Sequence, residues 1–185
     1  MKSPRLIMAA PRSGSGKTVL TISLMTALLK MGLKVSAFKC GPDYIDPMYH
    51  KKILGIDSRN LDLFFTDEET TRGLFLRNNT SGISVIEGVM GLYDGLGGIS
   101  GNASTYHLAK TLKAPIILVL DTKGMSTSVV AEAAGFISMD EEKLIRGIIL
   151  NNMNSGIFPG IKELIENKLK VPVLGHFPKQ KECDI

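Results

Sequence analysis

Tryptophan is absent from this sequence, and cysteine occurs only at Cys40 and Cys183. Neither cysteine belongs to a Cys-x-x-Cys pair, so a disulfide framework or a zinc site is not expected. Aromatic residues make up 6% of the chain, and its lysines and arginines are scattered without a dense basic run. Nucleic-acid surfaces need clustered positive charge, commonly with stacking rings, so no nucleic-acid partner is expected. No apolar run approaches the roughly 20 residues of a bilayer span, which leaves no reason to expect a membrane partner. Met1-Lys2-Ser3-Pro4 leads straight into a strand-like run, leaving no room for a signal peptide. A cytoplasmic location is the resulting expectation. His50, His107 and His176 lack metal-ligand spacing and read as structural or surface residues, and no Ser-His-Asp arrangement can be assembled.

What remains is ordinary in bulk. The 185 residues are 44% hydrophobic and 22% charged, enough for one domain with a proper core. The net charge of +4 suits an anionic ligand without requiring a nucleic acid. One stretch is not ordinary. Ala10-Pro-Arg-Ser-Gly-Ser-Gly-Lys-Thr18 lies between an apolar run, 6–8, and an apolar-periodic segment, 19–29. Strand, Gly-rich turn, Lys-Thr and helix is the order a phosphate-binding loop requires. Gly14 and Gly16 let backbone N–H groups approach a phosphate, with Ser13 and Ser15 in the same loop. The helix start adds unsatisfied donors and partial positive charge. Lys17 would meet the β- and γ-phosphates of ATP, and Thr18 would ligate Mg²⁺. Pro11 stands where the strict pattern has glycine.

The rest of the chain alternates strand and helix signals. Strands are predicted over 6–10, 34–39, 84–89, 115–120, 147–151 and from 172. Helices are predicted over 17–31, about 47–54, 67–77, 105–112, 126–136 and 159–169, with Gly32 stopping the first. Thr66 is the expected N-cap of the 67–77 helix, with Glu69 completing a capping box. Residues 40–50, 60–62 and 91–102 read as irregular. Most strands are continuous apolar runs, so the fold class is α/β: a P-loop NTPase-like, mostly parallel sheet with helices on both faces. Ligands of such sheets bind at the C-terminal strand ends, where Lys17, Lys39, Asp43, Glu87, Asp121 and Asn151 gather. The chain stops in a polar run, 179–185, and reads either as cut or as a frayed tail.

The acids carry the chemistry. Glu87 closes a buried strand, where an unpartnered charge is rare, and Asp94 follows in a Gly-rich loop. In a nucleotide site the partner of Glu87 would be Mg²⁺, bridging it and Thr18 to the phosphates. Asp43 and Asp46 lie three apart in Gly-Pro-Asp-Tyr-Ile-Asp-Pro, where they serve equally well as turn formers.

Ala10-Pro-Arg-Ser-Gly-Ser-Gly-Lys-Thr18, Phe38-Lys-Cys-Gly-Pro-Asp-Tyr-Ile-Asp-Pro47 with His50, Asn60-Leu-Asp62, and Glu87-Gly-Val-Met-Gly-Leu-Tyr-Asp-Gly95 closely resemble the cobyrinic acid a,c-diamide synthase family. Leu118-Val-Leu-Asp121, Gly147-Ile-Ile-Leu-Asn151 and Val173-Leu-Gly175 fit as well, so the resemblance covers nearly the whole chain in order. That family carries proline at the position of Pro11. The resemblance implies a dethiobiotin-synthetase-like amidoligase half across residues 1–185, which uses ATP and Mg²⁺ to phosphorylate a peripheral carboxylate of cobyrinic acid or a related tetrapyrrole. Ammonia then displaces phosphate to give the amide. The family's glutaminase half, the source of that ammonia, has no counterpart in these residues, and Cys183 is not assigned its nucleophilic role. Lys17, Lys39, Asp43, Asp46, Glu87 and Asp94 are the implied catalytic residues. Thr18, Asp43 and Glu87 are the expected metal ligands, and Asn151 looks like the adenine contact. A homodimer stays open. So do the sister amidation of nickel-sirohydrochlorin, a partition- or septum-type switch ATPase with Arg12 in place of a loop lysine, and a non-catalytic nucleotide-binding module.

Overall fold

The computed structural model of the chain describes residues 4–79 and 82–179. Among these, seven strands and six α-helices alternate: β1 Arg5–Ala9, α1 Lys17–Lys30, β2 Val35–Cys40, α2 Ile45–Leu54, β3 Ser58–Leu61, α3 Glu68–Asn78, β4 Ile83–Glu87, α4 Thr105–Leu112, β5 Ile116–Asp121, α5 Ser128–Ser138, β6 Ile145–Asn151, α6 Phe158–Leu169 and β7 Val173–Phe177. The strands form one parallel sheet in the order β3-β2-β4-β1-β5-β6-β7. No helix among the described residues is long and apolar enough to cross a membrane.

Period-two alternation divides the core. Ile7 and Ala9 of β1 enter one cluster with Phe75 of α3, Leu108 of α4, Val129 of α5 and Ile165 of α6. Met8 faces the other way, into a cluster with Val85, Val119 and the α1 residues Leu20 and Met25. Because both faces are covered, residues 6–9 of β1 and 116–120 of β5 read as unbroken apolar runs in the sequence.

Several boundaries differ from expectation. Residues 60–62 were expected to be irregular, yet Asn60 and Leu61 belong to β3, which pairs in register with β2 from Ala37↔Ser58 to Cys40↔Leu61. Ser58, Arg59 and Asn60 carry no apolar alternation because β3 is a short edge strand, largely exposed. Asp67, not Thr66, caps α3: its side chain accepts from Thr70 N at 2.7 Å. The Thr66 hydroxyl donates instead to Asp62 O at 2.8 Å, so the capping box does not form. α2 starts at Ile45, with Pro47 inside its first turn, where a missing N–H costs nothing. β6 starts at Ile145 because Asp140 accepts from both Leu144 N and Ile145 N and holds the entry to the strand.

Cys40 ends β2 inside the core, and burial pushes its thiol up to about 11. Alkylation needs the thiolate, so iodoacetamide at about pH 8 should leave the native Cys40 peptide unlabelled and label it in denaturant. Peptide mapping isolates this site from Cys183, which lies outside the described residues. Equal labelling of Cys40 in native and denatured protein would contradict its burial.

Candidate nucleotide and carboxylate site

The central strand β1 delivers the chain to the glycine-rich loop. Gly14 and Gly16 have φ of 78° and 87°, left-handed values that glycine adopts freely. Gly16 is the N-cap of α1 and, lacking a side chain, leaves the first-turn N–H groups to other acceptors. Ser15 Oγ donates to Arg12 O at 3.0 Å and closes the loop on itself. Ser13 and Gly14 lie at its exposed crest. Asn151, at the end of β6, donates from Nδ2 to Ser15 O at 3.1 Å. A Cβ on Gly16 would overlap that Asn151 amide, in addition to its positive φ. Gly16→Ala is therefore expected to displace Asn151 and weaken nucleotide binding by about tenfold or more, measured by calorimetric titration. Unchanged affinity would show that the loop tolerates the side chain.

Lys17 is buried, and Nζ donates to Arg12 O at 3.1 Å and Met90 O at 2.8 Å. Burial and then the neighbouring Lys39 charge pull its pKa down, against the nearby acids. Thr18, one residue on, points its hydroxyl at Glu87 Oε1 at 2.5 Å, and Asp46 Oδ1 lies 3.3 Å from the same hydroxyl oxygen. Lys39 Nζ, from β2, lies between these acids. It donates to Asp46 Oδ2, to Glu87 Oε1 at 3.3 Å and to Gly88 O at 3.0 Å. Burial works to lower the Lys39 pKa, but the charges of Glu87, Asp46 and Asp43 and the Asp46 hydrogen bond outweigh it and raise the value. Burial likewise works to raise the Glu87 pKa. His50, Lys39 and Thr18 outweigh it, and the net shift is downward.

The structure thus brings Lys17, Thr18, Lys39, Asp46 and Glu87 together. Asp43 stands at the rim, 3.6 Å from Lys39 Nζ, with Oδ1 accepting from Ile45 N at 2.8 Å at the start of α2. Asp46, rather than the expected Asp43, is the acid beside Thr18. Asp94 accepts from Gly91 N at 3.0 Å, within a loop pinned by Leu92 N to Ala10 O at 2.8 Å. That loop is anchored, not free. His50 was expected to be structural or surface. It is fully buried, with Nε2 3.1 Å from Glu87 Oε2. The signal was the spacing from Asp46: residues four apart share one helix face.

Among the described residues, no three acid, histidine or cysteine side chains form a ready cation cluster. The donor set nevertheless suits Mg²⁺. A hydroxyl and two carboxylates converge, all hard oxygen ligands, and this ion commonly takes one or two carboxylates and completes its shell with phosphate oxygens and water. Two carboxylates held this close also need positive charge between them, which Lys39 provides in the structure.

A parallel sheet whose central strand feeds a glycine-rich loop, Lys-Thr and a helix defines a P-loop nucleotide-binding domain. Residues 6–184 match the family model described as the CobQ/CobB/MinD/ParA nucleotide binding domain, and the chain belongs to that family. Among curated proteins, it is 49% identical over 178 residues to the cobyrinate a,c-diamide synthase of Listeria monocytogenes serotype 4b, covering 95% of this chain and 39% of that protein. It is 47% identical over 173 residues to the hydrogenobyrinate a,c-diamide synthase of Streptomyces coelicolor, covering 93% of this chain and 36% of that protein. The chain therefore spans well under half the length of these relatives. Among solved structures, chloroplast FtsY from Physcomitrella patens superposes with a TM-score of 0.68 at 14% identity, covering 97% of this chain and 60% of that one. The hydrogenase maturation factor HypB of Archaeoglobus fulgidus gives 0.61 at 12% identity, covering 94% and 80%. At such identities the shared property is the fold.

Proposed function

We propose that residues 1–185 are the ATP-dependent amidating half of a cobyrinate a,c-diamide synthase, acting on cobyrinic acid or a closely related tetrapyrrole polycarboxylate. The observation that carries this reading is Lys39, a buried cation bound by Asp46 and Glu87 beside the Lys17-Thr18 end of the loop. A plain nucleotide switch has no need of a second buried lysine there. An enzyme that brings a carboxylate up to the γ-phosphate does, because two anions must approach one another. The names of the curated relatives support the same substrate class.

In this reading a substrate carboxylate oxygen attacks the γ-phosphorus of ATP and ADP departs, leaving an acyl phosphate. Ammonia adds to the acyl carbon, loses a proton and expels phosphate, giving the amide. Ser13, Gly14, Ser15 and Gly16 present backbone donors to the phosphates. Lys17 leaves its carbonyl partners and follows the β- and γ-phosphates. Lys39 neutralises the incoming carboxylate. Thr18, Glu87 and Asp46 would hold Mg²⁺, with Asp43 at the edge of the set. That ion would supply Lewis-acid neutralisation of the phosphate charge. Asp43 and Asp94 stand where they can position the substrate or take the proton lost by ammonia. Asn151 lies beside the loop and would contact the adenine. A glutaminase half would supply the ammonia.

Arg12 does not favour the switch-ATPase reading. Its guanidinium lies 3.7 Å from Asp121 and 3.9 Å from Glu132 of its own chain, rather than projecting alone toward a second copy.

The test is mass spectrometry of cobyrinic acid, hydrogenobyrinic acid and nickel-sirohydrochlorin incubated with the protein, Mg-ATP and ammonium. Each amide formed lowers the substrate mass by the difference between OH and NH₂. Product is expected with ammonium as the nitrogen source. No mass change in any macrocycle, with ATP bound normally, would overturn the reading.

A further inference from the structure

Glu87 is held from two sides. Its Oε1 faces Thr18 at 2.5 Å and Lys39 at 3.3 Å. Its Oε2 faces His50 Nε2 at 3.1 Å, and both side chains are fully buried. His50 Nδ1 has no hydrogen-bond partner among the described residues. An ionised carboxylate only accepts, so the contact between these two side chains is a hydrogen bond donated by His50 Nε2–H to Glu87 Oε2. The histidine sits on α2, four residues after Asp46, the other acid at Thr18 and Lys39. One helix therefore supplies a ligand-facing acid and the back support of a second acid from the sheet.

We propose that His50 is a positioning residue. Its Nε2–H fixes the plane of the Glu87 carboxylate so that Oε1 stays on the nucleotide side. Without that bond the carboxylate can rotate about its last torsion, which is broad and roughly two-fold. Oε2 would be left buried without a donor, which favours turning it toward Lys39 and away from Thr18. Outer partners that orient metal-binding groups commonly matter about 10–100-fold for metal affinity. The inference rests on Glu87 facing the cation that accompanies ATP. It does not depend on which carboxylate, if any, is amidated.

The experiment compares His50→Leu, which keeps bulk without a donor, with His50→Gln, whose amide N–H reaches a position near Nε2. ATP affinity is titrated calorimetrically with Mg²⁺ and again in excess chelator, and Tm is recorded for each protein. His50→Leu is expected to weaken Mg-ATP binding by about tenfold or more while metal-free ATP binding changes little. His50→Gln is expected to recover most of the difference. His50→Asn, whose amide reaches the Nδ1 position instead, is expected not to recover it, and this pair carries the test if the leucine variant does not fold. Equal Mg-ATP affinity for His50→Leu and the unsubstituted protein overturns the proposal. So does an equal loss with and without Mg²⁺ that tracks Tm, or identical behaviour of Gln and Asn. Failure of the amidation reading looks different: no macrocycle product, with the Mg²⁺ dependence of ATP binding and its response to His50 intact.

Discussion

Replacing Lys17 with alanine is expected to lower the rate of ATP consumption in the presence of macrocycle by at least 10²–10³-fold, roughly the loss seen when one preorganised charge stabiliser is removed from a transition state. In the structure the Lys17 ammonium is buried and held by two backbone carbonyls, Arg12 O and Met90 O. These are neutral partners. Phosphates would replace them with full negative charge, and a charge-assisted hydrogen bond contributes about 1.5–3 kcal/mol. The sign of the lysine's pKa shift adds a second readout. Burial depresses the value, so the charged form is disfavoured by folding, and that penalty is complete below the folded pKa. At neutral pH the alanine variant escapes the penalty while losing two hydrogen bonds. Its nucleotide-free Tm should stay close to that of the unsubstituted protein, and the stabilisation by added Mg-ATP should fall sharply. Single-turnover product formation and thermal melts with and without Mg-ATP measure both. A wild-type rate in the variant would remove Lys17 from the chemistry.

Much of this site was legible because it uses residue types that are costly where they stand. Gly16-Lys17-Thr18 interrupts an apolar pattern, and Lys39 and Glu87 are charges at the ends of buried strands. Such positions rarely exist without a partner. The choice between Asp43 and Asp46 was not legible. It depends on α2 starting at Ile45, which uses Asp43 at the helix start and turns Asp46 toward Thr18. The contact of His50 with Glu87 was hard to read for a related reason. A histidine on a short helix with five large side chains exposed, Ile45, Met48, Tyr49, Ile53 and the preceding Tyr44, gives no local sign of burial. The spacing from Asp46 puts both on one helix face, and the packing of α2 over the sheet end buries that face. The edge strand β3 and the Asp67 cap show the same limit. Ser58-Arg59-Asn60 is polar on both sides, and Thr66 and Asp67 are both good caps. For β3 the long-range pairing with β2 decided, and for the cap the hydroxyl of Thr66 was taken by Asp62 O, which left Asp67 to serve.

Glu87→Gln and Asp94→Asn should separate two kinds of acid. Glu87 is fully buried and meets Thr18, Lys39 and His50. The amide keeps the shape but removes the charge that both Lys39 and a bound cation would face. In the proposed reaction, phosphoryl transfer should fall by about 10²–10³-fold for every macrocycle carboxylate, because the lost charge would serve a transition state common to all of them. Its acid behaviour follows from the direction of its shift. A carboxyl whose folded pKa lies below its ordinary 4.5 stabilises the fold above that value and loses the contribution as pH falls through the folded pKa. The Tm difference between the unsubstituted protein and Glu87→Gln should thus be constant near neutrality and narrow in acid. Asp94 is differently placed. Its Oδ2 accepts from Gly91 N in a loop beside the phosphate-binding turn, and an asparagine oxygen can take over that bond. The fold and ATP binding should survive the substitution. What should change is the ratio of mono- to di-amide over time, because a loop residue meets one side of an asymmetric substrate. Parallel loss of all products in both variants would place Asp94 with the cation-binding acids. An Asp94→Asn time course identical to that of the unsubstituted protein would leave Asp94 with no task beyond closing its turn.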